Sequence, residues 1–195
     1  MSVVTRLVAL GGSWGGITAM QTILRDLDLP DDAALVAVLH RQPIRSALAD
    51  VLVRGSAYPV EEAEDKAPLR PGTVYIAPPD YHLLVEPAWL SLSTEEPVKY
   101  SRPSIDVMLE SAAEAFAHRL VAVIVTGASD DGTAGARAVH RRGGTVIVQD
   151  PKSAEQAVMP RSVVEAGVAD RIAPLHELAA TIGLAVRSRP GPGHE

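Results

Sequence analysis

The sequence predicts an α/β fold: a doubly wound, mainly parallel β-sheet sandwiched between helices in three Rossmann-like layers, with an antiparallel hairpin insertion. Three observations carry this expectation. Short apolar runs alternate with segments of helical periodicity, the pattern of consecutive β-α-β units. Aromatic residues make up 4% of the 195-residue chain against 47% for all hydrophobic types. The core must therefore be built from Ala, Val, Leu and Ile, as in strands buried on both faces. A glycine-rich turn also separates the first apolar run from the first helical segment.

Residues 3–10 read as a buried strand stopped by the turn Gly11–Gly16. Ile17, Met20, Ile23, Leu24 and Leu27 recur at helical spacing over 17–28, and Pro30 with Asp31 and Asp32 closes that helix. Ala33–Leu39 is a second strand ending at His40, and residues 44–54 are helical with Ile44, Leu48, Val51 and Leu52 on one face. The run Glu61–Asp65 reads as a solvated acidic face. Residues 73–77, 82–85 and 89–93 are short alternating runs separated by Pro-Pro-Asp and Glu-Pro-Ala, which predicts an antiparallel meander. Alternation resumes at Pro103 with helix 104–118, strand 120–126, helix 131–142 and strand 145–149. A Pro-broken helical stretch over 153–167, strand 169–173 and helix 174–187 follow. In helix 104–118, Ile105, Met108, Leu109, Ala112 and Phe116 are core residues. The Pro/Gly-rich residues 188–195 read as a frayed tail, so one domain is expected over 1–187.

The formal net charge is −6, from 18 basic and 24 acidic residues, which argues against a nucleic-acid phosphate footprint. The absence of cysteine excludes disulfides, thiolate metal sites and cysteine nucleophiles. The first residues lack the apolar stretch and cleavage site of a signal peptide, and no run approaches the length of a membrane span. A cytoplasmic location without membrane insertion is expected.

Three polar groups fall at the ends of predicted strands: Ser13, His40 and the pair Asp130-Asp131. In open α/β sheets, loops at the carboxyl ends of neighbouring strands converge on one crevice, so residues distant in sequence meet there. These are the residue types of a nucleophile, a general base and an orienting carboxylate. The turn Gly11-Gly-Ser-Trp-Gly-Gly16 contains G-x-S-x-G, which places a serine on a sharp strand-to-helix turn. Alternatives are a glycine cradle for an anion, which would make the chain a nucleotide-binding protein, and a plain tight turn. The order Ser, His, Asp differs from the Ser, Asp/Glu, His of α/β-hydrolases. Asp130 and Asp131 are both natural N-caps, and spacing does not choose between them. His82 reads as a structural hydrogen-bonding residue. His118 and His140 lie near helix C-termini, where a surface imidazole meets the helix dipole.

A family resemblance emerges from these residues. Gly11–Gly16 is similar to the G-A-S-x-G-G turn of the catalytic domain of CheB protein-glutamate methylesterases. Pro71–Pro78 with Asp80 and His82–Val85 resembles that family's P-G-x-x-Y-I-A-P-x-D-x-H-L segment, and Pro103-Ser-Ile-Asp-Val107 its P-S-I-D-V motif. Val125–Gly132 resembles the L-T-G-M-G-x-D-G loop, and Gln149-Asp-Pro with Met159-Pro160 the Q-(D/N)-x…M-P stretch. The matches are colinear and span about residues 3–185. The resemblance implies Ser13 as nucleophile, His40 as general base and Asp131, which directly precedes the glycine, as the orienting carboxylate. It implies backbone N–H groups around Trp14, Ala128 and Gly12 as the oxyanion and substrate-binding elements, with no cofactor and no metal. The implied partner is a methylated chemoreceptor or a similar signalling protein, demethylated at glutamyl methyl esters, with glutamine deamidation as a related activity. The family's receiver domain has no counterpart, so a stand-alone catalytic domain is expected.

The chain also departs from the family pattern. Trp14 replaces a small Thr or Ser and makes one wall of the cleft bulkier. Ala128 and Ser129 replace Met-Gly, and His40-Arg-Gln-Pro replaces H-M-P. Alternative functions are therefore an esterase of the same fold in a pathway other than chemotaxis, or a catalytically weak binding module.

Overall fold

The computed structural model describes residues 3–40 and 48–188. Nine strands and six α-helices follow one another among them. Seven strands form one sheet: β1 (Arg6–Gly12), β2 (Ala33–Leu39), β3 (Val60–Glu62), β4 (Val74–Ile76), β7 (Leu120–Ile124), β8 (Thr145–Gln149) and β9 (Arg171–Ala173). Their order is β3-β4-β2-β1-β7-β8-β9, and every pairing is parallel. The expected three-layer fold is present.

Alternate residues of the central strands feed two separate cores. Val8, Leu10, Leu35, Ala37, Val121 and Val123 pack beneath α1 (Gly16–Asp26), α2 (Leu48–Val53) and α6 (Leu178–Arg187). Leu7, Ala9, Val36, Val38, Ala122 and Ile124 pack beneath α3 (Ile105–Phe116), α4 (Thr133–Arg141) and α5 (Val158–Glu165). Because both faces are covered, β2, β7 and β8 are buried throughout. That explains why they appear in the sequence as unbroken Ala/Val/Leu/Ile runs.

The middle of the chain corrects one expectation. Residues 73–77 are not part of a meander: β4 lies inside the main sheet, parallel to β2 with Tyr75 opposite Val36. All three of its residues are buried, so the alternation had two apolar faces rather than one. Only β5 (His82–Val85) and β6 (Leu90–Ser93) form the antiparallel hairpin, which packs on α3. The acidic run also contains a strand that the pattern did not announce. Glu61 and Glu62 belong to β3 at the sheet edge, where outward charge is compatible with pairing on one side only. Elsewhere the corrections are of boundaries. The first strand ends at Gly12, the helical stretch over 153–167 contracts to α5, and the helix expected from 131 begins at Thr133. Residues 44–47 of the second predicted helix and 189–195 of the predicted tail lie outside the described residues.

Candidate active site

Strands β2, β1 and β7 are neighbours, so the segments leaving their carboxyl ends meet. Ser13 leaves β1 directly, with its N–H donating to Thr126 O at 3.0 Å and its carbonyl accepting from Gly16 N at 2.8 Å. The turn needs glycine at position 15, where φ is 79° and a Cβ would stand 2.7 Å from Glu155 Oε2. Gly127, in the segment after β7, approaches closely from the other side. A Cβ there would lie 3.0 Å from Ser13 Cβ and 2.6 Å from Met159 Cε. His40 follows β2 and is tied to the serine turn by its own N–H, which donates to Gly12 O at 3.0 Å. Its imidazole Nε2 lies 2.7 Å from Asp131 Oδ2.

Asp131 is fully buried. Its Oδ2 also accepts from Ile105 N at 2.7 Å, and its Oδ1 accepts from Ser104 Oγ at 2.9 Å and Asp106 N at 3.0 Å. Asp131 therefore caps α3, a helix distant in sequence, rather than the helix it precedes. Burial pushes its carboxyl up, but hydrogen bonds from His40, Ile105 and Asp106 outweigh this and hold it below the ordinary aspartate value. The capping is reciprocal. Asp106 Oδ1, on α3, accepts from Gly132 N and Gly135 N at 2.8 Å each, at the start of α4. This interlock separates the two aspartates that spacing left equivalent. Asp130 is exposed and meets Lys99 Nζ at 3.2 Å, whereas Asp131 points inward to His40. Asp106 is pushed up by burial, with the neighbouring Asp131 charge adding to this.

The other expected residues lie around this pair. Trp14 is 65% exposed, and its indole Nε1 donates to Glu155 Oε1 at 2.6 Å, in the segment after β8. It does not line the cavity of about 210 Å³ beside His40, whose walls are Asp80, Pro97, Tyr100, Ser101, Arg102 and Pro103. Among the described residues, the backbone N–H groups of Trp14 and Ala128 donate to no protein acceptor. Gly12 sits inside β1 opposite Leu39, its carbonyl engaged by His40. His82 is buried, with Nδ1 accepting from Ser104 N at 3.2 Å and Nε2 3.1 Å from Glu96 O. This matches its structural reading and places it behind the cap of α3. Among the described residues, no group of three or more His, Asp or Glu is arranged to hold a metal ion, and no helix is long and apolar enough to cross a membrane.

Several supporting residues were not singled out in the sequence for these roles. Ser104 and Asp106 form the interlock with Asp131. Thr126 Oγ1 donates to Trp14 O at 2.9 Å and accepts from Gln156 N at 2.8 Å, joining the serine turn to the segment after β8. Gln149 is buried and its Oε1 accepts from Thr126 N at 2.9 Å. The S-x-D sequence at the start of helix 104–118 carries a capping signal. Nothing in the pattern says that the second carboxylate caps another helix.

Residues 8–182 match the family model described as CheB methylesterase. The chain belongs to the CheB methylesterase family. A relative from Leptospira interrogans is 41% identical over 178 residues, covering 88% of this chain and 90% of its own length. A protein-glutamate methylesterase/protein-glutamine glutaminase of Nocardioides is 40% identical over 91% of this chain, and one of Thermotoga maritima 36% over 89%. The chain spans about half the length of these last two proteins (50% and 52%). The crystal structure of the Thermotoga maritima CheB methylesterase catalytic domain superposes with a TM-score of 0.88 at 36% identity, over 92% of this chain and 98% of that one. The CheB fold thus extends over nearly all the described residues.

Proposed function

We propose that this chain is a protein-glutamate methylesterase that hydrolyses glutamyl methyl esters of a methylated chemoreceptor or a related signalling protein. Ser13 is the nucleophile, His40 the general base and Asp131 the orienting carboxylate. The observation that carries this reading is the 2.7 Å bond between His40 Nε2 and the capped, fully buried Asp131, beside the turn that presents Ser13. An ionised Asp131 accepts the Nε2 proton, which leaves Nδ1 as the ring nitrogen with a free lone pair.

Nδ1 takes the Ser13 Oγ proton as the oxygen attacks the ester carbonyl carbon. The N–H groups of Trp14 and Ala128, which meet no acceptor among the described residues, are the donors for the carbonyl oxygen as it becomes an oxyanion. Gly12 supports this by spacing. A Cβ there would lie 2.7 Å from Val125 Cγ2, in the segment after β7, and 3.2 Å from Leu39 Cδ2. The imidazolium returns its proton to the departing methoxide, giving methanol and a glutamyl-serine ester. Water, deprotonated by the same nitrogen, then releases glutamate and regenerates Ser13. A glutamine amide follows the same route with ammonia leaving, in keeping with the second activity in the relatives' names. Every step uses side chains and backbone of this chain.

The test is methanol release from a methylated chemoreceptor, with short-chain esters as the comparison substrate. Ser13→Ala should lower kcat by about 10⁴-fold or more with an unchanged melting temperature. A serine-directed phosphonate should label the native chain at Ser13. Activity retained in Ser13→Ala would overturn the assignment. Turnover of short-chain esters alone would move the substrate away from receptors.

A further inference from the structure

One wall of the cavity beside His40 comes from a turn that carries an aromatic residue the fold does not bury. Val98 N donates to Ser101 O at 3.1 Å, and Ser101 N to Val98 O at 2.8 Å. The two residues between them, Lys99 and Tyr100, both adopt positive φ, 49° and 64°. Tight turns with two such residues ordinarily use Asn and Gly, because the left-handed region crowds a Cβ and a bulky side chain most of all. Tyr100 nevertheless takes the second position, and it is fully exposed. Among the described residues its hydroxyl makes no hydrogen bond.

The turn is held by its neighbours rather than by the tyrosine. On one side, Lys99 Nζ meets Asp106 Oδ2 at 3.1 Å and Asp130 Oδ2 at 3.2 Å. On the other, Arg102 Nε and Nη2 donate to Asp80 Oδ1 at 3.0 and 2.7 Å. Arg102 Nη1 donates to the carbonyls of Thr94 and Glu95 at 2.9 and 3.0 Å. The two charged residues of the cavity wall besides His40, Asp80 and Arg102, are therefore paired with each other, and Tyr100 stands beside them. A ring left in water gains nothing from burial, and positive φ adds strain, so neither stability nor local conformation accounts for a tyrosine here. The other aromatic residues differ. Tyr75 and Phe116 are buried, and Trp14, the next most exposed, has its indole bonded to Glu155.

We infer that Tyr100 is a specificity-determining residue: its ring receives the polypeptide flanking the esterified glutamate, and so favours a protein substrate over a small ester. This rests on the proposed function, which brings the ester carbonyl to Ser13 and His40. A protein whose glutamyl side chain enters there carries its backbone and neighbouring side chains over the rim of the site. Tyr100 shares a cavity with His40 and stands on that rim. A small ester has only its acyl and alkoxy groups and leaves the ring uncovered. Tyrosine suits the role, because it offers a large contact area with few rotamers to fix and a hydroxyl that stays hydrated. The ion pairs on both sides order the turn before substrate arrives, which lowers the entropy lost on binding.

The experiment compares kcat/KM of the full chain for methanol release from a methylated chemoreceptor with kcat/KM for a short-chain ester. Tyr100→Asn and Tyr100→Gly remove the ring with residues that accept positive φ, and Tyr100→Phe keeps it. The ratio of protein to small-ester efficiency should fall by about 10-fold or more in the Asn and Gly variants, with the loss in KM rather than kcat. The Phe variant should keep the ratio within about twofold of the native value, and a loss there as large as in the Asn variant would overturn the ring contact. Melting temperatures should not fall, since the ring has no packing to lose and a strained position is relieved. An unchanged ratio in folded Asn and Gly variants, with Ser13→Ala inactive in both assays, would overturn this inference alone, whether the two efficiencies hold or drop together. A native dimer that the Asn variant dissociates, with that ratio unmoved, would also overturn it by making the partner a second copy of this chain. Activity in Ser13→Ala, or turnover of the short ester alone by the native chain, would instead remove the proposed function on which it rests.

Discussion

The two ends of the sheet hold a buried or half-buried aspartate in opposite ways. At the amino end, Asp32 precedes β2 and meets the Arg6 guanidinium at 2.8 and 2.9 Å, with the Thr5 hydroxyl also on it. At the carboxyl end, Asp131 meets no lysine or arginine among the described residues. Its partners are two backbone N–H groups, the Ser104 hydroxyl and the His40 imidazole. Burial pushes both carboxyls up, and their partners pull both below the ordinary value. Asp32 is lowered by Thr5 and Arg6, Asp131 by His40 and the start of α3. A guanidinium clamps its carboxylate and neutralises it, which suits a staple between β1 and the segment before β2. Neutral donors fix a carboxylate as firmly but leave its charge for the one titratable partner, the imidazole. The same residue type thus staples two segments at one end and, in the proposed mechanism, orients the imidazole at the other.

That contrast is broken or sharpened most directly at Asp131. Asp131→Asn should lower kcat by about 10⁴-fold by removing the charge that fixes the histidine tautomer. It should also cost at least about 2 kcal/mol of stability, because buried donors of α3 lose a charged acceptor. Denaturant unfolding alongside single-turnover kinetics reads both effects. Unchanged stability would mean that the cap on α3 does not depend on the carboxylate.

Thr126→Val should have a smaller effect, of about 1–3 kcal/mol in stability, since Trp14 O and Gln156 N lose a shared buried hydroxyl. If Thr126 also fixes the serine turn, kcat falls while KM for a short ester holds, and steady-state kinetics separates the two. Smallest is Asp32→Asn, which should cost about 1 kcal/mol or less and leave kcat unchanged.

The pH dependence of stability extends the comparison. Asp32 and Asp131 have lowered folded values, so each contributes stability that is present above the ordinary aspartate range. That contribution is lost as pH falls through the folded value. Asp32→Asn should therefore flatten the acid side of the stability curve, measured by urea unfolding at stepped pH. An equally steep acid limb in the variant would assign that dependence to the carboxyl end.

Much of this arrangement was legible because its signals are local. The buried runs before Ser13 and His40 declare themselves as strands, and the glycine turn between β1 and α1 marks the serine. Order within the sheet was harder. The run 73–77 looked like one strand of a meander because three residues carry no directional signal, and its partners in β2 and β3 are far away in sequence. Strand β3 was hidden because two of its three residues are glutamates, acceptable only at an edge. Choosing Asp131 over Asp130 rested on likeness to a family motif. In three dimensions the choice follows from direction: one carboxylate turns inward to the start of α3, the other outward to Lys99.

By itself, the sequence determined the layered α/β class, the positions of the central strands and the presence of Ser13, His40 and an aspartate at three strand ends. Periodicity and turn chemistry are properties of neighbouring residues and need no partner to be read. Only the tertiary structure decided that β2, β1 and β7 lie side by side and that Asp131 and Asp106 cap each other's helices. It also decided that Trp14 turns to Glu155 and that Lys99 stands against Asp106. These are contacts between distant segments, whose geometry exists only once packing on both faces of the sheet has brought them within hydrogen-bond reach.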